Sequence, residues 1–238
     1  MSQQQIPGYA PQPVSTHAPE VRSRFMKRVY ARLALGIAAF IAIEVYLFSE
    51  ASGYLAYEIA NALLGPSWLL VLGGFMLVSW LGTSFAWKAQ SAAMQYGGYA
   101  LMIAVYAVIF TLPLAIAASE PQLDGVISTA AWITALGFAG LTGIALTTSK
   151  DFKFLRGLLV WAGMLALGAI VVAVLVPSVQ LGAWFSIAMI GLAGGAILYD
   201  TQKIYHSYPP DREVAAAMSL FASVMLMFWY VLRLLSRR

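Results

Sequence analysis

Apolar residues recur along the chain in long runs that are separated by short polar breaks. Each run approaches the roughly 20 residues that a helix needs to cross the hydrocarbon core of a bilayer. The alternating segments of about ten residues that are typical of a membrane barrel do not occur. The pattern therefore predicts an all-α membrane protein with seven transmembrane helices, at about residues 30–49, 68–87, 96–118, 126–147, 155–176, 181–201 and 214–234.

The first 21 residues differ from the rest of the chain. They contain four Gln and four Pro and almost no large apolar residue. A segment of this composition buries too little apolar surface to fold on its own. We therefore predict a disordered polar N-terminal tail over residues 1–21 and a seven-helix transmembrane domain over residues 22–238.

Composition agrees with a membrane protein and excludes a soluble domain. Apolar residues make up 61% of the chain and charged residues 10%, against about 45–50% and about 25% in soluble domains. The mean hydropathy of +0.79 indicates that the lipid bilayer is the main partner of the surface. The net charge of +4 does not indicate a nucleic-acid partner, because the basic residues flank the apolar runs. We therefore predict that the protein binds no nucleic acid.

The distribution of Lys and Arg predicts the orientation of the helices. Basic residues occur around the start of the first run and in the second, fourth and sixth breaks. The first, third and fifth breaks contain none, and the first and third hold acidic residues instead, Glu50, Glu58, Glu120 and Asp124. By the positive-inside rule the N-terminus is cytoplasmic. Seven spans then place the C-terminus outside, although Arg233, Arg237 and Arg238 lie there.

Several kinds of chemistry lack the residues that they require. The chain has no cysteine and only two histidines, His17 and His206, so the ligand cluster of a metal-dependent hydrolase is missing. No histidine lies deep in a predicted span to activate a serine nucleophile, and no phosphate-binding glycine-lysine motif occurs. We therefore predict that the protein is not an enzyme, and that it has no cofactor and no catalytic metal.

Two carboxylates are placed inside or at the edge of the predicted bilayer. Such groups are costly in hydrocarbon and usually mark an ion or proton pathway. Glu44 lies within the first run, and its alternative is a neutral, packed glutamic acid. Asp200 ends the sixth run, and its alternative is a weak interfacial pair with Lys203, one helical turn away. Asp151, between Lys150 and Lys153, is predicted to belong to a solvated edge.

Four stretches resemble the Bax inhibitor-1 family of seven-span membrane proteins, specifically its bacterial members. LYDTQKI at 198–204 is the most specific, since it matches the family signature of the sixth helix almost letter for letter. The other three resemble the first helix with its basic lead-in, the loop before the fifth helix and the final helix. They are RFMKRVYARLALGIAAF, TTSKDFKFLRGLL at 147–159 and AMSLFASVMLMFWYVLRLLSRR at 217–238. The resemblance covers about residues 24–238 and implies six helices around a central seventh.

The resemblance also implies a function and the residues that carry it. Family members are associated with calcium leak, with protection against stress or death signals and, in some bacterial relatives, with modulation of a membrane protease. The leak is linked to two carboxylates that share a proton, of which Asp200 matches one. Ser223 stands where the family has the second aspartate. Lys88 stands roughly where relatives carry a basic residue after the second helix, which makes Lys88 and Lys203 candidate counter-ions of Asp200.

Two functional hypotheses follow. The first is a cation leak channel, with calcium as the candidate ion, Asp200 near the cytoplasmic gate, and Glu44 and Ser223 along the pathway. The second is a non-conducting membrane protein that binds other membrane proteins, such as a protease or regulators of a stress response. The serine at 223 favours the second, because a divalent cation prefers several oxygen ligands with more than one carboxylate. The expected location is the bacterial inner membrane.

Overall fold

The computed structural model describes residues 12–64, 73–74, 77, 91–148, 150–176 and 178–237. Within these residues the regular structure is helical, without a β-strand. The α-helices are α1 (Pro19–Leu47), α2 (Leu55–Ala62), α3 (Ala92–Ser119), α4 (Val126–Thr147), α5 (Leu155–Leu175), α6 (Ala183–Ser207) and α7 (Glu213–Leu235).

Six of these helices, all except the short α2, are long and apolar enough to cross a membrane. The predicted all-α membrane class is therefore confirmed. The predicted second span, residues 68–87, lies outside the described residues apart from 73, 74 and 77. The arrangement of six helices around a central seventh stays a prediction.

Contacts at the two ends of α6 show which helix ends lie together. After α6, the carbonyl of Tyr208 accepts a hydrogen bond from the backbone N–H of Val14 (2.8 Å). Before α6, the carbonyl of Leu181 accepts one from the guanidinium of Arg233 (3.4 Å). A helix of 25 residues is about 37 Å long. The first and last described segments of the chain therefore lie at opposite ends of the bundle.

The two ends of the bundle carry different charges. We call the end at which α1 and α7 begin the basic end; its Lys and Arg residues are Arg22, Arg24, Lys27, Arg28, Arg32, Lys150, Lys153, Arg156, Lys203 and Arg212. We call the opposite end the far end; its charged residues are Glu50, Glu58, Glu120, Asp124, Arg233 and Arg237.

The chain on either side of the predicted second span lies at different ends. Leu64, just after α2, lines a shallow cleft with Ile116 and Glu120 at the far end of α3. Ser91 caps the start of α3 at the basic end, where its hydroxyl accepts a hydrogen bond from the backbone N–H of Met94 (3.3 Å).

Helix α7 is the most enclosed of the spanning helices, since 78% of its apolar 18-residue stretch is buried inside the protein. It packs against α1, α3, α4 and α6. An aromatic cluster joins three of these helices: Phe110 of α3 stacks on Phe228 of α7 at 5.7 Å and meets Phe40 of α1 edge-on at 5.3 Å. Helix α5 is the opposite case, since only Ala166 is buried and Trp161 and Met164 are exposed. Its apolar surface suits contact with lipid.

The described part of the N-terminal segment has regular structure. Residues 14–16 form a 3-10 turn, and α1 already begins at Pro19. The sequence predicted a disordered tail as far as residue 21, because its composition is polar and rich in Pro. The side chain of Val14, which is fully buried, anchors the segment against the end of α6.

Helices α1 and α3 approach each other closely at Gly36. The hydroxyl of Tyr99 donates a hydrogen bond to the carbonyl of Arg32 (3.2 Å) and occupies the space where a β-carbon at position 36 would lie. Gly36 is therefore required for this crossing, which fixes the height of Arg32 at the basic end.

Candidate functional site

Asp200 and Ser223 lie in direct contact. Asp200 lies two turns before the end of α6, and Ser223 lies in the middle of α7. The hydroxyl of Ser223 donates a hydrogen bond to Oδ2 of Asp200 (2.7 Å). A charge-assisted hydrogen bond of this length is a strong one. Two of the residues that the sequence placed on the pathway therefore form one polar contact inside the bundle.

The candidate counter-ions are placed differently. The ammonium of Lys203 lies over the ring of Tyr199, 5.7 Å from its centroid. Among the ion pairs of the described residues, none joins Lys203 to Asp200 within 4 Å. Lys88 lies outside the described residues. The counter-ion role of either lysine stays a prediction.

Glu44 lies on the buried face of α1. This face repeats every three or four residues, through Leu33, Gly36, Phe40, Glu44 and Leu47, so Glu44 points into the bundle and away from lipid. Its carboxylate oxygens are buried, and no protein group in the described part of the chain donates a hydrogen bond to them.

Glu44 and Asp200 do not lie together. The aromatic cluster places Phe40 and Phe228 at similar depths, on either side of Phe110. Glu44 comes four residues after Phe40, and Ser223 comes five residues before Phe228. Since α1 and α7 run in the same direction, Glu44 is roughly two turns nearer the far end than the Asp200–Ser223 contact.

Gln202, in the same signature as Asp200, was not singled out from the sequence. Its Nε2 donates to the carbonyl of Lys150 (2.6 Å), and its Oε1 accepts from the backbone N–H of Phe152 (2.8 Å). The side-chain amide therefore bonds to a backbone N–H and a backbone carbonyl of the loop between α4 and α5. These two hydrogen bonds hold the loop to the end of α6. Because the partners are backbone atoms, the loop sequence gives no signal of this contact.

Glu213 is a second residue that sequence reasoning missed. Its Oε1 lies 3.4 Å from Nη1 of Arg28 and 3.0 Å from Nη2 of Arg32. The Glu213 side chain is 11% exposed and that of Arg32 is 20% exposed, whereas Arg28 is 55% exposed, so the contact with Arg32 is the one that lies largely out of water. Arg32 also donates from Nε to the hydroxyl of Tyr96 (2.9 Å). Together these contacts join the basic ends of α1, α3 and α7. The only signal in the sequence is an acid in the first turn of a helix.

Asp151 lies at the solvated edge that the sequence predicted. Its side chain is 60% exposed and lies 3.1 Å from the ammonium of Lys153. The backbone N–H of Lys153 also donates to Oδ1 of Asp151 (2.9 Å). This backbone hydrogen bond, helped by the Lys153 side chain, lowers the pKa of Asp151 below its usual value.

The C-terminal arginines have partners at the far end. Arg233 and Arg237 both donate to the carbonyl of Leu181, in the loop before α6. The guanidinium of Arg233 also lies 5.9 Å from the centroid of the Phe185 ring. These contacts, close to the negative end of the α7 dipole, explain how cationic residues are accommodated at an end that is otherwise acidic.

Comparisons with known proteins agree with the resemblance found in the sequence. The family described as "Inhibitor of apoptosis-promoting Bax1" matches residues 22–238. The chain is 27% identical over 225 residues to the mouse protein lifeguard 4, with 93% of this chain and 88% of that protein aligned. It is 23% identical over 205 residues to an uncharacterized membrane protein of Vibrio cholerae, with 86% and 78% aligned. An uncharacterized protein of Pseudomonas aeruginosa is 32% identical over 114 residues, which are 48% of this chain and 51% of that protein, so the chain spans about half its length. The chain belongs to the Bax inhibitor-1 family of membrane proteins.

Proposed function

We propose that this protein is a cation leak channel of the bacterial inner membrane, with calcium as its ion and Asp200 at the cytoplasmic gate. The observation that carries the proposal is the Asp200 carboxylate, which is held inside the helix bundle by Ser223. A carboxylate at this depth is energetically costly, and such residues usually mark an ion or proton pathway. Glu44, buried further along the bundle, would be the next carboxylate on the way to the far end.

The proposed orientation has the basic end in the cytoplasm. Ten Lys and Arg residues lie at that end in the described part of the chain, and the acids Glu50, Glu58, Glu120 and Asp124 lie at the far end. The positive-inside rule then places the N-terminus in the cytoplasm and the C-terminus outside. A reporter fused after residue 238 should read extracytoplasmic, and one at the N-terminus should read cytoplasmic. Two cytoplasmic ends would contradict this orientation.

Calcium flux into proteoliposomes tests the channel directly. The wild-type protein is expected to give flux above that of empty liposomes, and Asp200→Asn is expected to reduce it because the gate loses its charge. Asp211→Asn is the matched control, since Asp211 lies at the same end with a side chain that is 67% exposed. Flux that is equal in both variants would refute the role of Asp200.

A specific observation favours a second function. Asp200 faces a serine hydroxyl, and the described residues contain no group of three or more His, Asp or Glu that could together hold a metal ion. Calcium usually takes six to eight oxygen ligands. The second proposal is therefore a non-conducting protein that binds a membrane protease or regulators of a stress response. Flux no greater than that of empty liposomes, together with co-purification of such a partner, would support it. Neither proposal includes a catalytic step.

A further inference from the structure

The segment before α1 packs onto the basic end of the bundle. We call residues 12–18 the strap. Its backbone is tied to the residues that end α6: the N–H of Val14 donates to the carbonyl of Tyr208 (2.8 Å), and the hydroxyl of Ser15 lies 3.4 Å from the carbonyl of His206. The side chain of Val14 is fully buried and belongs to the main hydrophobic core.

Few interactions hold the strap in place. Val14 is its only buried residue, and its neighbours Ser15 and His17 are half-buried. The hydroxyl of Thr16 turns back to the carbonyl of Pro13 (2.8 Å) and is exposed. Segments with little buried apolar surface and solvent-exposed hydrogen bonds open at a small fraction of the global unfolding free energy. We therefore expect the strap to open more readily than the helices.

Three residues with side-chain hydroxyls, Tyr208, Ser219 and Ser223, lie between the end of α6 and Asp200, and we call them the polar line. Tyr208, whose backbone carbonyl accepts the hydrogen bond from the strap, is 1% exposed. Its hydroxyl lies 3.1 Å from the hydroxyl of Ser219. Ser223 follows one helical turn later on the same face of α7, and its hydroxyl is bound to Asp200. The strap therefore binds the backbone of the residue whose side-chain hydroxyl begins this series, and the series ends at the hydroxyl that binds Asp200.

We propose that the strap is a lid on the basic end, and that its release opens the polar line between Tyr208 and Ser223 to water. Only the identity of the ion that would pass through the opened end rests on the proposed function. Access of water to the line is measurable whether or not an ion crosses the membrane. In the closed state Val14 and Tyr208 are both buried in the main hydrophobic core.

Thiol labelling tests the lid, because the chain contains no cysteine. A single cysteine is introduced as S219C in the full chain, and its rate of reaction with a charged maleimide is measured in proteoliposomes. Val14→Asp is expected to raise this rate at least about tenfold, since it removes the one apolar side chain that closes the strap. Thr16→Asp is the matched control, because it adds the same charge to the strap at an exposed position and is expected to leave the rate unchanged.

A second cysteine separates release of the strap from general loosening of the fold. Ser186 is fully buried in the first turn of α6, towards the far end. In S186C the labelling rate should not respond to Val14→Asp, or to the milder Val14→Ala, which adds no charge. Equal rates for S219C with Val14→Asp and Thr16→Asp would overturn the lid, and so would parallel increases at both cysteines with both Val14 variants. Faster labelling of S219C alone, without calcium flux in any variant, would confirm the lid and refute the channel.

Discussion

Gln202 provides a direct test of how the basic end is held together. Its side-chain amide makes two hydrogen bonds to the loop between α4 and α5, at 2.6 Å and 2.8 Å, and the residue is 9% exposed. Gln202→Ala removes both. A hydrogen bond of this kind contributes about 1 kcal/mol net, so we expect the variant to lose about 2 kcal/mol of stability. For a chain of this length the corresponding fall in melting temperature is about 4–8 °C.

The measurement is thermal unfolding in detergent, combined with hydrogen exchange of the loop amides. The amide of Phe152, which donates to Gln202, should lose its protection, while amides in the middle of α7 should keep theirs. Gln180→Ala is the matched control, because Gln180 is exposed. Gln202→Glu should be at least as destabilising as Gln202→Ala, since it sets a carboxylate oxygen against the carbonyl of Lys150. A melting temperature of Gln202→Ala equal to that of Gln180→Ala, with a protected Phe152 amide, would refute the reasoning.

Three further variants test other contacts of the bundle. Glu213→Gln should lower stability by about 2 kcal/mol in thermal unfolding, because Arg32 loses the charge of a partner that is largely buried; Asp211→Asn, where the acid is 67% exposed, should leave the melting temperature unchanged. Gly36→Ala should cost about 1–3 kcal/mol through overpacking between α1 and α3, whereas Gly97→Ala, in open space, should be neutral or stabilising. Ser223→Asp should make calcium flux depend on pH between about pH 6 and 8, because two carboxylates in contact retain one proton between them; a wild-type flux that already varies steeply over this range would contradict the argument.

The sequence predicted the membrane-spanning stretches more accurately than the full lengths of the helices that contain them. The apolar runs at 126–147 and 155–176 nearly coincide with α4 and α5, because those two helices contain a single charged residue, Arg156, at the start of α5. Helix α1 begins eleven residues before its predicted run, at Pro19 rather than 30, and α6 continues through Ser207 rather than 201. In both helices the extra turns mix charged or polar residues with a few apolar ones, such as Phe25 and Val29 of α1. They are held by contacts such as that of Arg22 with Tyr205 (3.1 Å), which hydropathy does not record.

The candidate site was predictable from the sequence at positions where an ionisable side chain lies in an apolar run, since its burial in the membrane is energetically costly. Asp200 and Glu44 are acids in apolar runs, and that alone marks them. Gln202 and Glu213 are ordinary polar residues near helix ends, and their importance depends on partners that are 52 and 185 residues away in the chain. Such pairings are created by the packing of the helices, so a single sequence contains no local pattern from which to infer them.

The contact between Asp200 and Ser223 explains how this chain can keep the geometry of a carboxylate pair without its titration. In a pair that shares a proton, the protonated partner donates a hydrogen bond to the ionised one, and the bond changes when the second proton binds or leaves. The hydroxyl of Ser223 donates the same kind of bond to Asp200 at 2.7 Å, and a serine hydroxyl keeps its proton throughout the physiological range. The contact between α6 and α7 is therefore held at every pH at which Asp200 is ionised. While Asp200 stays ionised, the bond from Ser223 therefore provides no switch of its own, and the strap, anchored by Val14 at the residue that follows α6, is the proposed point of control.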